Sequence, residues 1–240
     1  MFNSFKTRSE EAEIIDDFSL EGEAIEATYK SIEGVNTWLG GNLVLINSLK
    51  KVVQGLRPTK ALIQLADLGC GSGDGMAALA LWAKKRNINI TFTGYDANPF
   101  VVLLAQQNGA KHPNIKVRKA DIFTADCDLS EVDIATFNLC LHHFTDREIQ
   151  QLLEKCKAAG VQTIIINDLH RHWLAYRLFS LVCFIFRVPE IPRKDGLLSI
   201  KKGFKRQELQ NMAQSIGSYK YDLKWKWAFR FQLLIFLNYS

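Results

Sequence analysis

The sequence predicts an α/β fold in which a doubly wound, mostly parallel sheet ends in an antiparallel hairpin. From about residue 61 onward, short apolar runs alternate with amphipathic runs of helical period, which is the pattern of βαβ units. A glycine-rich turn, DLGCGSGDG, follows the first apolar run. The last two apolar runs have almost no chain between them, so they can pair only as an antiparallel hairpin.

Residues 1–58 are predicted to form an N-terminal helical cap. Apolar residues recur at helical spacing over 21–31 and again over 36–54. Gly34 is expected to separate these two helices, and Pro58 to end the second.

The remaining elements follow in chain order. Strands are predicted at 61–68, 88–95, 115–119, 132–139, 163–167, 219–227 and 229–237. Helices are predicted at 75–85, 100–108, 146–159, 172–186 and 204–216. Strands that are covered on both faces are continuously apolar, as TIIIN is at 163–167.

Charge and cysteine usage limit the class of protein. The net charge of +5 conceals an acidic stretch, 1–35, with three bases and nine acids, and a basic stretch, 171–240, with thirteen bases and four acids. The basic stretch suits nucleic acid, a membrane surface or an acidic substrate, and equally an ordinary solvated surface. Five scattered cysteines without a CxxC pair, and a polar start without a signal peptide, predict a cytoplasmic protein with reduced thiols.

Three glycines at alternate positions form the sharpest motif. Gly69, Gly71 and Gly73 lack Cβ atoms, so the backbone can turn tightly and approach a ligand. The helix that follows offers free N–H groups at its start. The dinucleotide fingerprint GxGxxG does not fit, because its third glycine would fall at Asp74 or Met76.

Acidic residues follow the second and third predicted strands. Asp96, in GYDANP, stands 23 residues after Gly73, which suits hydrogen bonds to the hydroxyls of a ribose. Asp121 and Ile122, in KADIF, suit the amino group and the ring face of adenine. The pattern therefore predicts a nucleoside lying across the strand ends.

These motifs resemble those of the class I S-adenosylmethionine-dependent methyltransferases over roughly residues 60–240. DLGCGSGDG, GYDANP, KADIF and FNLCLHHF are similar to the first four motifs of that family. The resemblance implies a Rossmann-like, seven-stranded sheet with a reversed last strand. It implies S-adenosylmethionine as cofactor, S-adenosylhomocysteine as product, and a cofactor site made of Asp67, Gly69, Cys70, Gly71, Gly73, Asp96, Ala97, Asp121, Ile122, Asn138 and Leu139.

Two further segments resemble a small-molecule subgroup similar to the quinone-biosynthesis type. NDLHRHWLAYRLF (167–179) and RKDGLLSIKKGF (193–204) are similar to methyltransferases of polyketide and phenolic-lipid pathways. The implied organisation is a methyltransferase domain over 59–240, with a helical insertion over 172–203 on the acceptor side. The implied acceptor is small and lipophilic, aromatic or polyketide-derived.

Four residues on the acceptor side are candidates for catalysis. His142 and His143 follow the fourth strand, and a neutral histidine can remove a hydroxyl proton near pH 7. Alternatively, one histidine caps the next helix and the other packs. His170 and Arg171, beside Asp168, either position the acceptor or only cap a helix. No further ligand is spaced to complete a metal site, so none is predicted.

Helix 172–186 leaves three roles open because it is apolar nearly all round. It could line an acceptor channel, pack on the N-terminal helices, or lie on a membrane with Arg177 and Arg187 toward the headgroups. A homodimer also stays open.

Two other functions compete with small-molecule methylation. An RNA methyltransferase is motivated by the basic stretch, but NLCLHH lacks the Asn/Asp-Pro-Pro-aromatic signature of base methylation, so nucleic acid is not the predicted partner. A non-catalytic partner protein that binds S-adenosylmethionine is the other alternative.

Overall fold

The computed structural model describes residues 5–55, 62–217 and 220–237, which contain eight α-helices and a seven-stranded mixed sheet. The helices are α1 Glu23–Trp38, α2 Gly41–Gly55, α3 Asp74–Lys85, α4 Pro99–Gly109, α5 Asp146–Ala158, α6 Trp173–Ile185, α7 Glu190–Lys202 and α8 Arg206–Ser215. The strands are β1 Ile63–Leu68, β2 Ile90–Asp96, β3 Ile115–Lys119, β4 Ile134–Asn138, β5 Thr163–Leu169, β6 Tyr221–Lys226 and β7 Arg230–Phe236.

The sheet has the predicted doubly wound topology. Its strand order is β3-β2-β1-β4-β5-β7-β6, with β1 to β5 parallel and β7 antiparallel to both neighbours. The terminal hairpin is confirmed, and its turn uses Ala228 and Phe229, both with positive φ. Because the strand order reverses between β1 and β4, a crevice opens at the carboxyl ends of these strands.

Apolar side chains on the two faces of the sheet form two buried clusters. One joins β4 and β5 to α5 and α8, with Phe137, Leu152 and Leu209 at its centre. The other joins β1 and β2 to α2 and α3, through residues such as Leu49 and Leu79. Helix α2 therefore belongs to the core that supports the sheet, while the predicted boundary between residues 58 and 59 lies outside the described residues.

The predicted helix break at Gly34 is wrong. Gly34 lies inside α1, which continues to Trp38, so Asn36 belongs to the first helix and not to the second. The chain turns at Gly40, whose φ of 72° is in the left-handed region that glycine adopts without strain. Pro58 lies outside the described residues.

The N-terminal strap, residues 5–20, crosses the carboxyl edge of the sheet. The backbone N–H groups of Ile14 and Ile15 donate to the carboxylate of Asp195 in α7, at 2.9 and 3.1 Å. Arg8 donates to the carbonyl oxygen of Phe144 at 2.7 Å, and Arg171 to that of Phe5 at 3.2 Å. The strap is thus fastened at its start and along its length.

Candidate functional site

A cavity of about 370 Å³ lies at the carboxyl ends of β1, β2 and β4. Its walls come from the glycine loop, the strand ends, helix α1 and the N-terminal strap. Nine of the predicted cofactor residues line it: Gly69, Cys70, Gly71, Asp96, Ala97, Asp121, Ile122, Asn138 and Leu139.

The glycine loop is held by backbone hydrogen bonds, and at Gly69 it leaves no room for a side chain. Gly69 and Cys70 donate their N–H groups to the carbonyl oxygen of Tyr95, at 2.9 and 3.0 Å. A Cβ atom on Gly69 would collide with the Sγ atom of Cys140, and its φ of 72° is unfavourable for other residues. The backbone itself therefore forms this wall of the cavity.

Asp96 is fixed at the cavity wall through both of its oxygens. Oδ2 accepts the N–H of Gly71 and Oδ1 that of Asn98, each at 3.0 Å. Burial raises the pKa of Asp96, and these backbone bonds offset part of that rise. Each oxygen keeps a lone pair beyond these bonds, so the carboxylate can accept two more hydrogen bonds, as a ribose diol would require.

Asp121, Asn138 and Leu139 occupy the neighbouring strand ends. Asp121 accepts the N–H of Phe123 at 2.9 Å, and Asn138 accepts the amide of Asn167 at 2.7 Å. Leu139 has a φ of 53°, an unusual conformation for leucine that is typical of functional turns.

Two predicted cofactor residues lie behind the cavity wall. Asp67 is buried and accepts the hydroxyl hydrogen of Thr136 at 2.6 Å. Burial raises the pKa of Asp67 to about 7 in spite of that bond. Gly73 is the residue before α3, with a φ of 77°. Asp67 lies beneath the loop and Gly73 ends it. A water-mediated contact of Asp67 with the cofactor stays a prediction.

His143 is the predicted catalytic residue that lines the cavity. Its Nδ1 lies 2.6 Å from Oδ1 of Asp16 in the strap and 3.7 Å from Oε1 of Glu13. Burial alone would lower the pKa of His143, but the hydrogen bond to Asp16 and the two carboxylate charges raise it above its ordinary value. Burial would raise the pKa of Asp16, yet the bond and charge of His143 hold it far below its usual range.

Lys202 completes this network from α7. Its Nζ lies 3.3 Å from Oε1 of Glu13 and 3.2 Å from Oδ2 of Asp16. The Lys202 side chain is only 5% exposed, so its charge acts on both carboxylates with little screening by water.

His142 points away from the cavity. Its Nδ1 lies 2.7 Å from Oδ1 of Asp168, and its side chain is 3% exposed against 17% for His143. Burial would raise the pKa of Asp168, but the charge and hydrogen bond of His142 lower it. The two histidine rings are 4.3 Å apart between centroids, so His142 supports His143 from behind.

His170 and Arg171 are not brought to the cavity. His170 accepts the indole N–H of Trp225 at 3.2 Å, and burial, with the charge of His172 next, lowers its pKa to about 4. Arg171 is buried, forms an ion pair with Glu208, and donates to carbonyl oxygens of the strap and of Gly203. Arg171 therefore ties the strap to the domain.

Glu13, His142 and His143 are also a candidate metal group, since their ligand atoms lie within 4.8 Å of one another. The ammonium group of Lys202 already faces Glu13 and Asp16. A divalent cation would have to displace this charge, so the arrangement suits a proton-carrying network better than a metal centre.

Sequence reasoning missed the site residues of the strap and of α1. Ile15, Asp16 and Phe18 line the cavity, as does Tyr29 of α1. Burial, and then the charge of Asp96, raise the pKa of the Tyr29 hydroxyl, which keeps it a neutral hydrogen-bond donor. The one available signal was the acidic character of residues 1–35, two of whose acids face His143 and Lys202.

The fold and the cavity together define the class I methyltransferase architecture. Residues 65–160 match the family model described as "Methyltransferase domain". Trans-aconitate 2-methyltransferase of Deinococcus radiodurans is 28% identical over 130 residues, which are 53% of this chain and 46% of that protein. The match thus spans about half the length of this curated relative.

Solved structures agree on the fold. A SAM-dependent methyltransferase from Aquifex aeolicus aligns with a TM-score of 0.55 and 14% identity, over 79% of this chain and 89% of that one. An O-methyltransferase family protein from Burkholderia thailandensis aligns with a TM-score of 0.63 and 14% identity, over 98% of this chain and 66% of that one. Together with the family match, these findings show a fold shared with S-adenosylmethionine-dependent methyltransferases.

Proposed function

We propose that the protein transfers the methyl group of S-adenosylmethionine to a hydroxyl oxygen of a small, lipophilic acceptor, aromatic or polyketide-derived. The observation that carries this proposal is the pairing of His143 with Asp16 at the wall of the cavity. Apolar side chains supply much of the surface on this side: Ile15, Phe18, Ile32 and Phe144. An apolar wall with a few polar groups is typical of a small-molecule site.

The opposite half of the cavity fits the cofactor. At Gly69 a Cβ atom would collide with Cys140, so backbone alone forms this part of the wall. Asp96 would offer its free lone pairs to the ribose. Asp121 and Ile122 would meet the adenine amino group and ring. When bound, S-adenosylmethionine supplies an electrophilic methyl group on a positively charged sulfur.

His143 would act as the base. With Nδ1 turned to Asp16, the Nε2 atom is left to accept the hydroxyl proton. The deprotonated acceptor oxygen would then be the nucleophile for the methyl group that bound S-adenosylmethionine would supply, and S-adenosylhomocysteine would be the leaving product. Asp16 stabilises the resulting imidazolium, which returns its proton to solvent. The N-terminal strap keeps water away from the reacting atoms.

The basic stretch 171–240 gives weak support to RNA as an acceptor, because some of its charges are buried. Arg171, Lys202 and Arg230 are all buried. Arg171 pairs with Glu208, and Lys202 faces Glu13. These bases serve the fold and the site, so they are not available to phosphates.

Methyl-labelled S-adenosylmethionine, incubated with the purified protein and a total extract of host cells, tests the acceptor class. Label is expected in the organic fraction. Label in RNA would contradict the proposal, and tight cofactor binding without any transfer would favour the non-catalytic partner protein.

His143→Ala tests the base. Transfer is expected to fall by at least about a hundredfold, because a positioned base contributes that much or more. The affinity for S-adenosylhomocysteine should stay unchanged, since His143 lies in the acceptor half. His112→Ala is the matched control, because His112 follows α4 and does not line the cavity. Full activity of His143→Ala would remove the base role.

A further inference from the structure

Helix α6 turns an apolar face to solvent. Its buried residues are Ala175 and Cys183 alone, both small. Large apolar side chains stand exposed along the other face and just beyond its end: Trp173, Leu178, Leu181, Phe184, Ile185 and Phe186. Phe184 is 82% exposed, which is extreme for a phenylalanine.

Helical geometry places these residues together. At 100° per residue, Trp173, Leu181 and Phe184 fall within one quadrant of the helix, and Leu178 and Ile185 flank it. Phe186 extends the surface to α1, because its ring meets that of Trp38 edge to face at 6.0 Å between centroids. Trp38 is itself 66% exposed. We name these seven residues the α6 patch.

A contiguous apolar surface of this kind indicates an interaction site, since monomeric soluble proteins seldom expose one. The charges around the α6 patch indicate what covers it. Arg177, Arg187, Arg193 and Lys194 are exposed on or beside it. Glu190 is the exposed acid of this region, and it pairs with Lys194 at 2.6 Å.

We propose that the α6 patch docks the protein on an anionic membrane surface. Aromatic and aliphatic side chains beside arginines suit the boundary between acyl chains and negatively charged headgroups. Helix α6 would lie in the plane of the interface, and no helix among the described residues meets the length and hydropathy needed to cross a bilayer. A second copy of the chain is a poorer occupant, because a symmetric contact would bring the arginines of both copies together.

Helix α1 links the α6 patch to the cavity. Trp38 at its end belongs to the patch, while Tyr29, Ile32 and Glu33 line the cavity wall. A lipophilic acceptor could thus pass from the membrane along α1 to His143. This last step rests on the proposed function, whereas membrane docking does not.

Flotation with vesicles tests the docking. Vesicles of phosphatidylcholine alone are compared with vesicles that also contain phosphatidylglycerol, and wild-type protein should float with the second kind. The double variant L181Q/F184Q should bind about a hundredfold more weakly, because two apolar side chains no longer enter the interface. Leu103→Gln is the control, since Leu103 is 56% exposed on α4, away from the patch.

The charge contribution is tested separately. The double variant R187Q/R193Q should bind the anionic vesicles about thirtyfold more weakly, at about 1 kcal/mol for each charge near the surface. Equal binding to both kinds of vesicle would overturn the electrostatic part of the proposal.

A competing outcome is a dimer through the same surface. Failure of wild-type protein to bind vesicles, with a light-scattering mass of a dimer that L181Q/F184Q reduces to a monomer, would overturn the proposal in favour of a second copy. Failure to bind without a dimer would overturn it as well. None of these measurements uses methyl transfer, so their outcome is independent of the acceptor assay.

Discussion

The two halves of the cavity are built differently. The cofactor half consists of backbone and short motifs: the glycine loop after β1, Asp96 at the end of β2, and Asp121 after β3. The acceptor half joins side chains from distant parts of the chain: Asp16 from the strap and His143 after β4, with Lys202 of α7 behind them. A local motif can specify the first half, whereas only the folded chain assembles the second.

Asp96→Ala should produce the largest effect on the cofactor half. It removes the two oxygens proposed to accept hydrogen bonds from the ribose and also the anchor of the Gly71 N–H. Binding of S-adenosylhomocysteine, measured by calorimetry, should weaken by at least about a hundredfold, because hydrogen bonds to a charged group are worth about 1.5–3 kcal/mol each. Asp126→Ala, an exposed acid near Asp121, is the control. Unchanged affinity would end the ribose assignment.

Gly69→Ala should destabilise the fold by about 3 kcal/mol, through an unfavourable φ and a collision with Cys140. Gly160→Ala separates the two causes, because Gly160 also has a positive φ but has no atom near the position of a Cβ. It should cost only about 1 kcal/mol in urea unfolding. Equal losses in both variants would show that the loop is not as tightly packed as described.

Asp16→Asn should produce the smallest loss, about 1 kcal/mol of unfolding free energy. The raised pKa of His143 contributes stability below its ordinary value of 6.5, and this is lost as pH rises through the folded value. The lowered pKa of Asp16 contributes stability above its ordinary value of 3.8, and this is lost as pH falls through the folded value. The difference from wild type should therefore be largest between pH 3.8 and 6.5. A difference that does not change with pH would contradict the pairing.

Sequence patterns predicted the sheet because strand and helix periods are local properties. They placed the helix break at Gly34 and not at Gly40, since the presence of a glycine does not show whether its φ is positive. The bounds of α7 were not predicted either, because Pro192 and Gly196 resemble loop residues. Pro192 lies in the first turn, where proline is tolerated, and Gly196 leaves space for the ring of Phe179.

Nine of the eleven predicted cofactor residues line the cavity, whereas His143 alone of the four predicted catalytic residues does. The N-terminal strap has no periodic pattern, and its acids look like ordinary solvated charges. Their partners, His143 and Lys202, are distant in sequence, so spacing carried no signal. His170 and Arg171 follow β5 directly, yet they do not line the cavity, because their side chains contact partners that are also distant in sequence.

In the proposed function, Asp16 of the strap holds His143 as the base of the acceptor half. The most direct test is the pH dependence of methyl transfer by wild type and by Asp16→Asn, with any acceptor found in the organic fraction. In wild type, the rate should rise with pH through a value above 6.5, because Asp16 raises the pKa of His143. In Asp16→Asn, the inflection should move to lower pH and the maximal rate should fall. An inflection at the same pH in both proteins would contradict the role of Asp16 in holding His143 as the base.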